Sequence, residues 1–273
     1  MRGDVASLEA AVSSLIGTSV QRPSGGLAGH SAALPFESHV EAVIKSHFPG
    51  RSYKHFELLN HIFSANPEAV TYEQRTELLG GSPLQALLAR GKDPTNSWSK
   101  ENLYKVKQND TAELVIVPRP TTSLAGVAPV WLIDVKTKDL SISGQPPNII
   151  SARKIADASA KLLESGGASQ YRISYAAIRW TEQGSTLRCE DAKVVWLDRI
   201  PPHTLYINWV AAQQIQFDPY EVSQEFDGEP IEWAAEFLQT FCAQLDKRIQ
   251  KQISVVERYK LIYQEWAKRA SQA

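Results

Sequence analysis

The sequence predicts a single α/β (α+β) domain, with a central mixed sheet flanked by helices. Apolar residues recur at helical spacing through residues 1–110. From 111 to 210, β-rich runs alternate with turn signals around one helix. Helical spacing returns over 229–268, so the order is helices, sheet, helices.

The elements follow in chain order. Val5, Leu8, Val12, Leu15 and Ile16 define an opening helix over 4–16, which Gly17 ends. Arg22-Pro23-Ser24-Gly25-Gly26 reads as a loop. A second helix starts near Pro35, a residue suited to first turns, and turns Phe36, Val40, Val43 and Ile44 inward. Residues 54–64 and 72–90 read as further helices. Ala112–Val117 and Val130–Lys136 are strands joined by the Pro-rich stretch 118–129. A helix over 151–165 faces inward through Ile155, Ala158, Leu162 and Leu163, and Gly166-Gly167 stops it. Strands are expected at 171–180, 185–190, 192–197 and 204–209, and the tail helix carries one break. There is no internal repeat and no low-complexity tract.

Bulk properties exclude several classes. With 43% hydrophobic and 22% charged residues the composition is globular. The longest apolar runs, such as Val130-Trp131-Leu132-Ile133, cannot span a bilayer, and Asp4 and Glu9 interrupt any N-terminal leader. Cys189 and Cys242 are too few for a disulfide scaffold or a zinc site, so a reduced cytoplasmic compartment is expected. A net charge of −1 argues against a passive DNA-coating protein but not against an enzyme that gathers basic residues in one cleft.

Chemistry concentrates at Asp134-Val135-Lys136, which ends the most apolar strand. Alternation puts Asp134 and Lys136 on one face and Val135 on the other. Two opposite charges at the end of a buried strand are costly unless they pair or bind something. Glu113 begins the preceding strand, and a hairpin would bring it beside Asp134. Two converging carboxylates form a hard oxygen site suited to Mg2+, and Lys136 can orient and help deprotonate a water or steady a phosphate's charge. An acid-x-Lys triplet also arises by chance and then reads as a surface salt bridge. A second one, Asp191-Ala192-Lys193, precedes its expected strand and has no comparable upstream carboxylate, so it reads as a solvated strand start.

Other polar residues admit two readings. Asp110 competes with Glu113 as first carboxylate, though Asn109-Asp110 before a strand also suits a turn. Glu37 is either a further site carboxylate or the exposed face of its helix. Gln145 and Asn148 stand in a Pro-rich stretch, and Tyr206, Asn208, Gln213, Gln214 and Gln216 form a second group. Amides can read base edges, but Asn148 also suits a helix N-cap, and the glutamines a helix surface. Arg90-Gly91-Lys92, Lys105 and Lys107 can meet phosphates or be ordinary solvated charges.

Several multi-residue strings then occur in one order. Arg22-Pro23, Gly29-His30, Pro35-Phe36-Glu37, Leu87–Lys92, Lys107–Glu113, Leu132–Thr137, Pro147–Ala152 and Leu205–Trp209 together resemble the HincII/HindII-type restriction endonucleases of the PD-(D/E)xK superfamily. The resemblance runs from about residue 16 to about residue 250. It implies a restriction-endonuclease-like fold and a homodimeric type II enzyme. Such an enzyme uses Mg2+ to cut a short palindrome in double-stranded DNA, GTYRAC or a related site, leaving blunt ends with 5′-phosphates. A cognate DNA methyltransferase in the same system is also implied.

By position, Asp134 and Lys136 match the catalytic Asp and Lys, and Glu113 falls where the family has an aspartate. The main-chain carbonyl of Val135 would complete the metal shell. The DNA-binding set implied is Lys92, Gln108, Asn109, Gln145, Asn148, Tyr206 and Asn208, with Gln145 inserting between base pairs. Two rivals are a structure-specific repair nuclease of the same fold and a DNA-binding protein with an inactive centre. A metabolic α/β enzyme is disfavoured, because no Gly-rich phosphate loop follows a strand.

Overall fold

The computed structural model describes residues 2–23, 30–71, 74, 112–117, 130–142, 148–167, 171–210 and 213–272. In chain order the main elements are α1 (Arg2–Ser13), β1 (Ser19–Gln21), α2 (His30–His47), β2 (Ser52–Tyr53) and α3 (His55–Ala65). Then come β3 (Leu114–Ile116), β4 (Val130–Asp139), β5 (Asn148–Ser151) and α4 (Ala152–Glu164). The chain continues with β6 (Tyr171–Gln183), β7 (Thr186–Trp196), β8 (Tyr206–Asn208), β9 (Gln214–Gln216) and α5 (Pro230–Ala270). No helix among the described residues is long and apolar enough to cross a membrane.

Six strands form a mixed sheet in the order β1-β7-β6-β4-β3-β2. Only the β4–β6 pairing within it is parallel, which demands a crossover, and α4 lies on it. A second, antiparallel sheet has the order β5-β9-β8.

Strand alternation sorts β4 between two cores. Trp131, Ile133 and Val135 pack with Leu8 and Leu15 of α1 and Phe36, Val40 and Ile44 of α2. Val130 and Leu132 face the other way, towards Leu58 and Ile62 of α3, Ile155 and Leu162 of α4, and the start of α5. The mixed sheet with helices on both faces is the architecture the sequence predicts.

Local chemistry explains the boundaries. Gly17, with φ +82°, closes α1, and Gly166 and Gly167, both at positive φ, end α4. Ser151 accepts a long hydrogen bond (3.4 Å) from Lys154 N at the start of α4. Pro230 occupies the first turn of α5, and Glu229 N donates to Glu232 Oε2 at 2.8 Å.

Several expectations need correction. Pro35 lies inside α2, which begins at His30, so the apolar seam of Phe36, Val40 and Ile44 outweighs one missing backbone donor. The short strands β1 and β2 were not expected, because two or three residues carry no readable period. Residues 185–197 form one strand, not two, with a bulge where Arg179 faces Asp191 but Trp180 faces Cys189. Consequently Asp191-Ala192-Lys193 lies inside β7 and does not precede a strand. Gln214 and Gln216 belong to a strand, not a helix surface. Asn148 begins β5, and Ser151 takes the capping role. The tail helix is continuous over 41 residues, with no break. The expected helix at 72–90, apart from Gln74, and the connection 118–129 lie outside the described residues, as do 24–26 of the first loop.

Candidate active site

β3 and β4 pair antiparallel, and their last rung before the site is Leu114 opposite Ile133. One step on, Glu113 stands beside Asp134, as the expected hairpin requires. The β3 ladder ends there, so the Val135 N–H finds no strand partner and donates to Glu113 Oε2 at 2.9 Å. A strand residue points its N–H and C=O to the same side, so the Val135 carbonyl is directed towards this edge too. Asp134 is 7% exposed, and its Oδ2 lies 2.6 Å from Lys136 Nζ. The structure therefore brings Glu113, Asp134, Val135 and Lys136 together at one strand end.

Electrostatics makes this a strained group of charges. Burial, then the charge of Asp134, then a hydrogen bond with Asp134 push the Glu113 carboxyl well above the usual range. Two carboxylates can share such a contact only with a proton between them or a cation in its place. Burial alone would lower the Lys136 ammonium, but Asp134, Glu113 and Glu37 outweigh it and hold it above its ordinary value. Glu37 is half-buried and acts on the site through Lys136.

The donor set fits Mg2+. It offers two hard carboxylates and a directed carbonyl, a number that suits an ion retaining several waters or phosphate oxygens. Among the described residues, no third His, Cys, Asp or Glu gathers with them into an all-side-chain metal cluster.

Sequence reasoning missed a basic row on the same sheet face. Lys136 stands across Ala177 from Lys193, and Lys138 pairs in register with Arg179. Lys138 bonds Asp218, whose carboxyl is held below its usual range because that contact outweighs the effect of burial. Arg179 and Lys193 both lie over the Tyr220 ring, at 3.9 and 4.6 Å, and Tyr220 Oη donates to the Ala177 carbonyl at 2.9 Å. The alternation Lys136-Thr137-Lys138 is the signal that would have revealed it.

Tyr175 was also missed. It sits beside Asp134 in the parallel register and is fully buried, with its ring against Phe217 at 5.7 Å. Its hydroxyl has no hydrogen-bond partner among the described residues. Burial first, then Asp134 and Glu113, raise the phenol well above its normal range, so it stays protonated.

The second sheet carries the amides. Gln216 stands between Asn148 and Tyr206, and Gln214 between Ser151 and Asn208. Ile207 and Ile215 turn into the core, which leaves the polar residues on the opposite face. Asn208 Nδ2 donates to Gln216 Oε1 at 3.3 Å, its Oδ1 accepts from Val210 N at 3.0 Å, and Tyr206 is 61% exposed. Lys92, Gln108, Asn109, Asp110 and Gln145 lie outside the described residues.

Comparisons with known proteins agree with this geometry. The family model described as "Restriction endonuclease HincII" matches residues 11–263. The chain is 38% identical over 246 residues to "Type II restriction enzyme HindII" of Haemophilus influenzae strain Rd, covering 90% of this chain and 91% of that relative. "Type II restriction enzyme HincII" of Haemophilus influenzae shows the same identity and coverage. A match over nearly the whole chain, with the paired carboxylates and lysine on one strand end, places the protein in the HincII restriction endonuclease family.

Proposed function

We propose that this protein is a type II site-specific deoxyribonuclease that hydrolyses phosphodiester bonds in double-stranded DNA at a short palindrome. The observation that carries the reading is the strand end where Glu113 is bound by Val135 N and Asp134 by Lys136. Glu113, Asp134 and the Val135 carbonyl hold Mg2+, which when bound supplies charge that polarises a phosphate and makes water a stronger acid. The Lys136 ammonium orients the attacking water and steadies charge building on the phosphate. Lys138, Arg179 and Lys193 extend positive charge along the same face, where backbone phosphates would run.

The amide face of β5, β8 and β9 supports a role in reading bases through Asn148, Tyr206 and Asn208. Lys92, Gln108, Asn109 and Gln145 join the DNA-binding set through the family strings. The target is GTYRAC or a related site, cut at its centre to blunt ends with 5′-phosphates. A palindrome cut on both strands calls for a two-fold homodimer, with a cognate methyltransferase to protect host DNA. We place the enzyme in the cytoplasm.

Digestion of a plasmid of known sequence with Mg2+, followed by mapping of the ends, tests this. Discrete fragments ending at one palindrome are expected. Smears or scattered nicks would instead assign a structure-specific nuclease, and intact plasmid an inactive DNA-binding protein.

A further inference from the structure

Helix α5 holds to the body through its first turns and then leaves it. Trp233, Ala234 and Phe237 are buried, and Trp233 Nε1 donates to the Ile200 carbonyl at 2.8 Å. At 1.5 Å per residue, the 41-residue helix is about 60 Å long. Its second half carries Ile249, Ile253, Val256, Tyr259, Tyr263 and Trp266, each between 43% and 66% exposed.

These six follow one another at steps of four, three, three, four and three residues, a repeat close to the 3.5 of a helix-on-helix seam. A flat partner surface would select no such period. With each aromatic offering ~150–250 Å² in full, the exposed part of the six is on the order of 800 Å². That matches what one partner contributes to a stable protein–protein interface. Aromatic residues are also those most enriched where binding energy concentrates. A contiguous apolar face of this size is well beyond what an isolated monomer keeps in water.

We infer that the second half of α5 is a self-association surface, whose occupant is the same helix of a second copy of this chain. The inference rests on the dimeric reading above and assigns it a place. A two-fold interface uses one patch on both chains, and a helical seam of near-3.5 period meets that condition with itself. The surface lies far along α5 from its anchor on the body. Disrupting it leaves the fold and the Glu113–Asp134–Lys136 centre intact.

The test is sedimentation of the full-length chain at micromolar concentration, alongside Ile253→Glu/Tyr263→Glu. The wild type is expected at the mass of two chains. The double variant is expected at the mass of one, with far-UV circular dichroism unchanged and self-association weakened at least 100-fold. A wild-type monomer overturns the inference, and so does a variant that remains dimeric. Mapped plasmid ends judge the nuclease reading separately: site-specific cutting by a monomeric wild type, or a dimer joined elsewhere, leaves that reading standing while this surface fails.

Discussion

The chain contains two acid-x-Lys triplets on one face of one sheet, and their surroundings divide them. Asp134-Val135-Lys136 lies where β3 ends, so a second carboxylate, Glu113, and an unpaired backbone edge meet it. Asp191-Ala192-Lys193 lies within β7, where Asp191 stands opposite Arg179, and Lys193 rests over Tyr220. The first triplet carries an excess of buried negative charge that a cation would relieve, whereas the second is surrounded by arginine, lysine and an aromatic ring. Identical spacing gives identical facing; what a triplet can do depends on which strand stops next to it.

The largest expected effects follow from that difference. Lys136→Ala should lower single-turnover cleavage by about 10²–10⁴-fold with DNA affinity retained, since a positioned proton-transfer or charge-stabilising group contributes on that order. Lys193→Ala should leave the cleavage step within a few-fold and reduce the salt dependence of binding by about one phosphate's worth. Equal losses in the two variants would erase the distinction. Glu113→Gln should abolish Mg2+-dependent cutting, while Asp110→Asn should not. The reverse result would transfer the first carboxylate to Asp110.

This contrast also shows what was legible in the sequence. β4 is a continuous apolar run ended by charges, so its burial and the facing of Asp134 and Lys136 could be read directly. β7 could not, because its apolar residues change phase. Leu187 and Cys189 enter the same core as Ala192, Val194 and Trp196, which an unbroken alternation forbids. The bulge at Glu190 absorbs the shift, and it is set by pairing with β6, not by local propensity. Gln214-Ile215-Gln216 forms a strand only because β5 and β8, distant in sequence, flank it. Glu37 reaches Lys136 through the packing of α2 on the sheet, which no helical period encodes.

A smaller effect separates structural from catalytic charge near the second triplet. Asp218 is buried, bonded by Lys138 and within 3.9 Å of Arg179. Asp218→Asn should destabilise the fold by about 2–4 kcal/mol in chemical denaturation, because it leaves buried cations without their partner. Its folded carboxyl sits below the usual range, so its stabilisation is full above the unfolded carboxyl range and disappears as pH falls through the folded value. The variant should therefore lose the part of the wild type's acid sensitivity that appears below about pH 4. Unchanged acid unfolding would mean that the ion pair contributes nothing net.

The smallest effect distinguishes the tyrosines beside the two triplets. Tyr220 Oη donates to the Ala177 carbonyl, so Tyr220→Phe removes a formed hydrogen bond and should cost about 1 kcal/mol. Tyr175 Oη is buried beside Asp134 with no partner among the described residues, so the folded protein already bears the desolvation of that hydroxyl. Tyr175→Phe relieves it while keeping the ring against Phe217, and stability without Mg2+ should stay level or rise by up to about 1 kcal/mol. Paired thermal melts of the two variants decide the matter. A destabilisation by Tyr175→Phe as large as that by Tyr220→Phe would show that the buried phenol has a bonding partner, such as an ordered water above Asp134. The two tyrosines would then differ in what they hold, not in whether they are satisfied.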